Sequence, residues 1–266
     1  MPLPPILFED EFLIAFAKPS ELLVVPDSKD RRRESLMPLI HARFGDSVVN
    51  VHRIDSEASG VFLCARTKPA QDFVSGQFQS KTALKKFLTL VVVGPADEPV
   101  NKLVAQTRTA GGVLFDAFSI DAAIGEDETQ KGRMRVIKKQ GGKDSVTDFT
   151  VLERFGRFNW VEARPITGRP YQLRVHLSAV QAPILNDLIY GDGRTKLMLS
   201  DLKRGYKGRD AEKPLIDRLA LHASEVTVRH PATRELLVIA APLPNDLEIA
   251  LKNLRKFQPA RGRSGV

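Results

Sequence analysis

The sequence is poor in cysteine and tryptophan, with one of each in 266 residues. The lone Cys64 excludes an intramolecular disulfide framework and a cysteine-rich zinc module. The longest apolar run, residues 87–93, is far short of the roughly 18 residues a membrane helix needs. The opening Met1-Pro2-Leu3-Pro4-Pro5 lacks the basic and apolar regions of a signal peptide, so a soluble cytoplasmic protein is expected. No glycine-rich phosphate loop follows a strand and opens a helix, which disfavours a nucleotide-cofactor enzyme. No His-x-x-x-His pair or carboxylate stands at metal-ligand spacing on one helix, and no metal is expected. Internal repeats and long low-complexity segments are absent.

What is present is an ordinary globular balance of 42% hydrophobic and 27% charged residues, enough to bury a sizeable core. Basic residues outnumber acidic ones, 40 to 32, for a net charge of +8. That excess favours a polyanionic partner, although a solvated basic face gives the same count. The charge is clustered. Residues 131–143 hold Lys131, Arg133, Arg135, Lys138, Lys139 and Lys143 with no acid. Residues 203–213 hold five basic groups against Asp210 and Glu212, and the stretch after Leu251 holds Lys252, Arg255, Lys256, Arg261 and Arg263. Brought to one side, these would form an electrostatic footprint for nucleic acid.

Apolar patterning predicts strands over residues 6–8 and 12–17, a helix over 36–44, and strands over 48–54 and 61–65. Thr67 is placed to cap a helix with Pro69 in its first turn and Ala70, Phe73, Val74 and Phe78 inward. A buried strand is predicted over 84–93, strand-like pieces around 114–120, and a hairpin from 146–154 and 158–164. Thr167-Gly168-Arg169-Pro170 is a sharp turn into a helix facing Leu173, Leu177 and Val180 to the core. Strands are predicted over 218–222, 225–229 and 236–241. A final amphipathic helix starts from Asn245, with Glu248 completing a capping box. Strands outnumber helices without strict alternation, which argues α+β with a mixed or antiparallel sheet.

Two segments gather reactive groups. In Val51-His52-Arg53-Ile54-Asp55, Asp55 ends a strand before a glycine-containing turn. It fits a nucleophile or general base held beside a cation, and equally a turn-capping aspartate. The stretch 166–177 brings Arg169, Gln172, Arg174 and His176 together, suiting a carboxylate or phosphate, or simply a basic helix face. Cys64, inside an apolar strand, is expected to be buried and inert.

His52-Arg53-Ile54-Asp55-Ser56-Glu57-Ala58-Ser59-Gly60 resembles the signature of the RluA-type pseudouridine synthases. Segments 6–26, 86–94, 166–191 and 218–233 resemble further parts of that family in the same order. The resemblance covers roughly residues 6–245. It implies the pseudouridine synthase fold: α+β, a mixed, mostly antiparallel sheet in two lobes around a basic cleft, with flanking helices. It implies a single catalytic domain with a core of about 6–257, a basic tail of 258–266 and no S4 domain. The implied reaction is isomerisation of uridine to pseudouridine in ribosomal or transfer RNA, by a monomer without cofactor or metal.

Carried over residue by residue, the resemblance makes Asp55 the catalytic carboxylate, attacking ribose C1′ or base C6. Arg174 is the arginine that pairs with it and keeps it ionised. Leu173 packs against the base, Phe87 offers a stacking face, and Arg53 fills the gap left by an extruded uridine. Arg169 and His52 complete the substrate-binding set, His52 as a structural or phosphate-facing residue. The family pattern has tyrosine where Phe87 stands, so a hydroxyl is missing. It has glycine where Glu21 and Asn186 stand, threonine for Ala58, and a polar-His pair for Pro170-Tyr171. Two other readings follow: a catalytically silent RNA-binding protein on the same fold, and a hydrolase using Asp55 or His176.

Overall fold

The computed structural model describes residues 1–27, 33–95, 100–104, 107–109, 111–206 and 212–259. Of the charges singled out above, Lys207, Arg209, Asp210, Arg261 and Arg263 lie outside the described residues, as does most of the expected tail. In chain order the elements are β1 (Ile6–Glu9), β2 (Leu13–Lys18), α1 (Leu36–Phe44), β3 (Val49–Asn50), β4 (Ser59–Ala65), α2 (Lys68–Gln79) and β5 (Leu84–Val92). Then come β6 (Ala117–Asp121), β7 (Ile124–Glu126), β8 (Met134–Val136), β9 (Val146–Phe155), β10 (Phe158–Pro165) and α3 (Gln172–Ala179). The chain closes with α4 (Leu199–Leu202), β11 (Leu221–Arg229), β12 (Leu236–Ala240) and α5 (Asn245–Phe257). The strands form mixed, mostly antiparallel sheet with flanking helices, divided between two compact units.

The first unit is Met1–Phe87 with Leu221–Pro242. Its strands run in the order β1-β2-β4-β11, with β3 beside β4 and β12 beside β11. β4 and β11 are parallel, while β1–β2, β2–β4, β3–β4 and β11–β12 are antiparallel. Alternation along β2 and β4 sends Leu13, Ala15, Val61, Leu63 and Ala65 to one face and Ile14, Phe16, Phe62 and Cys64 to the other. The first set packs with Ala70 and Val74 of α2, the second with Leu36, Met37 and Ile40 of α1. Both faces are dry, so these strands read as unbroken apolar runs. Gly60 sits at the parallel crossing at φ 118°, where a Cβ would lie 2.1 Å from the Ala223 carbonyl oxygen. Only glycine fits there. Thr67 caps α2, its hydroxyl accepting from the Ala70 N–H at 3.3 Å.

The second unit is Leu88–Ala220 with Leu243–Val266. Its sheet order is β5-β10-β9-β6, and β7 with β8 makes a separate two-stranded ribbon. Six consecutive residues of α3, Gln172 to Leu177, are buried, so that helix is wrapped nearly all round. α5 buries Leu247, Ala250, Leu251 and Leu254, the expected stripe.

Several expectations are corrected. Residues 48–54 form strand only over Val49–Asn50: the Val51 N–H still donates to the Leu63 carbonyl at 3.3 Å, but the Leu63 N–H turns to the ring of His52 instead of main chain. The strands expected over 218–222 and 225–229 are one, β11. Asn245 is the first residue of α5 rather than its cap; Pro244 holds that place and no side chain caps it. Asp246 and Glu248 in the first turn complement the helix dipole instead. The three-residue strands β7 and β8 and the short α4 lacked a period long enough to read. Among the described residues no helix is long and apolar enough to cross a membrane.

Candidate active site

Asp55 belongs to the first unit, at the start of a turn closed by the Ala58 N–H donating to the Asp55 carbonyl at 3.1 Å. The turn is held from beneath. Lys18, 1% exposed, donates through Nζ to the carbonyls of Ser56 (2.8 Å), Leu22 (2.8 Å) and Pro19 (2.9 Å). These three carbonyls accept from the ammonium and offset part of the cost of its burial. The Ser20 hydroxyl donates to the Glu57 carbonyl, and the Ser59 hydroxyl lies 3.0 Å from His222 Nδ1. Asp55 is half-buried on this fixed turn and Arg53 is exposed.

His52 precedes them. Its Nε2 accepts from the Leu63 N–H at 3.0 Å, which requires a neutral ring with its proton on Nδ1. The ring stacks on Phe78 at 5.0 Å and 10° and touches Phe62. Burial, with the Lys85 charge second, pushes His52 down to about 4. Lys85 itself is pushed down to about 8 by burial. On β5, Lys85 and Phe87 share a face by strand alternation, while Lys86 turns away to an ion pair with Glu225 at 3.0 Å. Phe87 is half-buried.

Arg174 belongs to the second unit. Its side chain is 2% exposed and meets Asp187 through two parallel bonds, Nε to Oδ2 and Nη2 to Oδ1, both 2.8 Å. Its guanidinium lies over the rings of Tyr171 (5.1 Å) and Tyr190 (5.4 Å). Asp187 also accepts from the N–H groups of Ile189 and Tyr190, each at 2.9 Å. A buried arginine so placed is charged and aimed.

The backbone of α3 is locked separately. Gln172 is fully satisfied: Oε1 accepts from the Thr167 hydroxyl (2.7 Å) and the Arg169 N–H (3.0 Å), and Nε2 donates to the Val146 carbonyl (3.0 Å) and Thr147 Oγ1 (2.9 Å). His176, fully buried, has Nδ1 3.1 Å from Thr147 Oγ1 and Nε2 3.1 Å from the Ala122 carbonyl. A carbonyl only accepts, so the proton is on Nε2. Burial pushes His176 down to about 4. Leu173 is buried, and Arg169 Nε donates to the Asp144 carbonyl at 3.0 Å.

The expected residues thus fall in two sets. Asp55, Arg53, His52 and Phe87 stand in the first unit, and Arg174, Leu173 and Arg169 in the second. Asp187, Lys18 and Tyr190 were not foreseen as parts of the machinery. Lys18 carried one signal, a lysine ending an apolar strand. Cys64 is buried, and burial raises its thiol far above the ordinary range. Among the described residues no cluster of three or more His, Cys, Asp or Glu side chains is arranged to hold a metal ion.

The pattern of the family described as RNA pseudouridylate synthase matches residues 12–179, spanning the Asp55 turn and α3. The ribosomal large subunit pseudouridine synthase D of Neisseria meningitidis serogroup B is 32% identical over 254 residues, covering 94% of this chain and 61% of that protein. The ribosomal large subunit pseudouridine synthase C of Vibrio parahaemolyticus is 34% identical over 254 residues, covering 94% of this chain and 69% of that protein. The chain therefore spans about three-fifths to two-thirds of these relatives' lengths. Among solved structures, the human RNA pseudouridylate synthase domain containing 4 superposes with a TM-score of 0.65 at 26% identity, covering 94% of this chain and 92% of that one.

Proposed function

The chain belongs to the RNA pseudouridylate synthase family, and from that premise we propose that it isomerises uridine to pseudouridine in structured RNA, as a cytoplasmic monomer. The observation that carries the reading is the family match running unbroken through both the Asp55 turn and the helix of Arg174. The two relatives above are named for the large ribosomal subunit, which favours ribosomal over transfer RNA as substrate.

The chemistry is an isomerisation, so its atoms balance without an oxidant or co-substrate. The N1–C1′ bond breaks, a C5–C1′ bond forms, C5 gives up its proton and N1 gains one. Asp55 supplies the ionised carboxylate that opens the glycosidic linkage, and the turn fixed by Lys18 gives it a defined direction. Arg174 supplies a guanidinium that cannot be deprotonated, aimed by Asp187. The reacting base leaves the stack to be reached. Phe87 offers it a ring face, Leu173 an apolar wall, and exposed Arg53 fills the space left behind. Arg169 faces phosphate, and His52 shapes the segment that carries Arg53 and Asp55.

RNA transcribed with tritium at uridine C5 tests this directly. The wild-type protein is expected to release tritium from large-subunit ribosomal RNA, and Asp55→Asn to release none. A second reading, an RNA-binding protein without turnover, is favoured by the missing hydroxyl at Phe87. It expects binding without tritium release, in the wild type and in Phe87→Tyr alike.

A further inference from the structure

The ribbon built around β7 and β8, residues 122–144, belongs to the second unit, and three of the hydrogen bonds that tie it to the rest of that unit go to residues flanking Arg174 in sequence or in contact with it. At its entry, the Ala122 carbonyl accepts from His176, two residues after Arg174. On β8, the Met134 N–H donates to the Tyr190 hydroxyl at 3.0 Å, and Tyr190 is one of the two rings against the Arg174 guanidinium. At its exit, the Asp144 carbonyl accepts from Arg169 at 3.0 Å. Arg133 stacks over the same Tyr190 ring at 5.1 Å.

The ribbon's charge is unevenly used. Lys139 pairs with Asp121 at 3.2 Å and Arg135 reaches Glu128 at 3.9 Å. Asp127 is occupied in its own turn, accepting from the Thr129 N–H and hydroxyl. Lys131, Lys138 and Lys143 are exposed and have no carboxylate within 4 Å among the described residues. Three ammonium groups outside any ion pair, on a ribbon whose six basic residues outnumber its four acidic ones, suit a polyanion.

We propose that this ribbon docks the phosphate backbone of the RNA, and that its three anchors hold the docked strand in register with Arg174. The inference rests on the RNA reading above and extends it to a surface and to three positioning residues, His176, Tyr190 and Arg169. Lys131, Lys138 and Lys143 supply affinity. Tyr190 supplies placement, through a hydroxyl that takes up the Met134 N–H.

Two variants separate these roles, each checked for an intact thermal transition. Binding of a transcribed large-subunit ribosomal RNA fragment is measured against salt concentration for the wild type and the Lys131→Ala/Lys138→Ala/Lys143→Ala variant. Each lost phosphate contact lowers the slope of log K against log salt by roughly 0.7–0.9, so a drop of about 2–3 is expected. Lys68→Ala, which removes a lysine from an ion pair with Asp72 on α2, is expected to keep the wild-type slope. Tyr190→Phe keeps the ring and loses the hydroxyl. Its salt slope is expected to stay, while turnover at saturating RNA falls roughly tenfold or more, as misplaced reacting groups cost. A wild-type slope in the triple variant overturns the docking surface. Wild-type turnover in Tyr190→Phe overturns the anchoring. Tritium release by the wild type together with an unchanged slope in the triple variant sinks the ribbon alone. RNA binding with a reduced slope in that variant but no release by the wild type sinks the catalytic reading alone.

Discussion

Each unit buries a cation and holds a neutral histidine close to a proposed active residue, and the two solve the burial differently. In the first unit, Lys18 is surrounded by the carbonyls of Pro19, Leu22 and Ser56. In the second, Arg174 faces the carboxylate of Asp187 and two tyrosine rings. Neutral main-chain acceptors tie down backbone, so Lys18 fixes where the Asp55 turn lies. A carboxylate and ring faces tie down a side chain, so Asp187 fixes where the Arg174 guanidinium points. The histidines follow the same division. His52 takes a ladder donor from β4, while His176 couples α3 to Thr147 and to the root of the ribbon.

The comparison can be broken most forcefully at Asp187. Asp187→Asn removes the carboxylate that the buried guanidinium meets through two parallel bonds, and losing one partner of such a pair costs about 3–5 kcal/mol. Chemical denaturation should show that loss, with pseudouridine formation falling alongside it even where the variant is still folded.

Acid acts on both units at once. His52 and His176 each accept a proton near pH 6.5 when the chain is unfolded, and only near pH 4 in the fold. Their folded values are depressed, so stability is full above about pH 6.5 and declines as the pH falls towards 4, by up to roughly 3 kcal/mol for each ring. Urea midpoints measured between pH 7 and pH 4 should show the decline. In His176→Asn it should be shallower by one ring's share.

Lys18→Met is expected to cost about 2–3 kcal/mol, because the carbonyls it satisfied are left buried without a donor. Against Asp187→Asn, the informative difference is its side effect. The amide protons of Ser56, Glu57 and Ala58 should exchange faster, while those of α3 keep their protection. Equal loosening of both segments would erase the distinction between fixing a backbone and aiming a side chain.

The smallest effect sharpens the picture of the first unit's turns. Glu21 holds φ at 63°, a left-handed conformation that costs a side-chain-bearing residue about 1–2 kcal/mol. Glu21→Gly should raise stability by up to about 1 kcal/mol, since glycine's greater freedom in the unfolded chain offsets part of the gain.

That position also shows what a sequence conveys. Glu21 and Asn186 stand out as places where the resembled family carries glycine, and both prove to have positive φ, 63° and 61°. The residue type hinted at the demand, but only the backbone states it. α1, α2, β2 and the β9–β10 hairpin were legible because their apolar periods run long enough to declare a helix or a strand. β3 was over-read because a side chain, His52, replaces main chain in the ladder. β7 and β8 span three residues each, too few for a period. Asp55, Arg53, Phe87, Leu173 and Arg174 were singled out from motifs. Asp187 was not, because it stands 13 residues from Arg174 and only the fold brings them together. Lys18 directly follows the expected strand 12–17, and nothing local to it tells that its ammonium bonds to the Asp55 turn at the Ser56 carbonyl.

In the proposed reaction a carboxylate on a backbone-fixed turn and an aimed guanidinium convert uridine to pseudouridine in RNA. Pseudouridine mapping of total RNA tests it most directly, from cells carrying the wild-type protein and from cells carrying Asp55→Asn. The account expects sites modified only with the wild type, in large-subunit ribosomal RNA. Identical maps from the two, with both proteins binding that RNA in vitro, would contradict it.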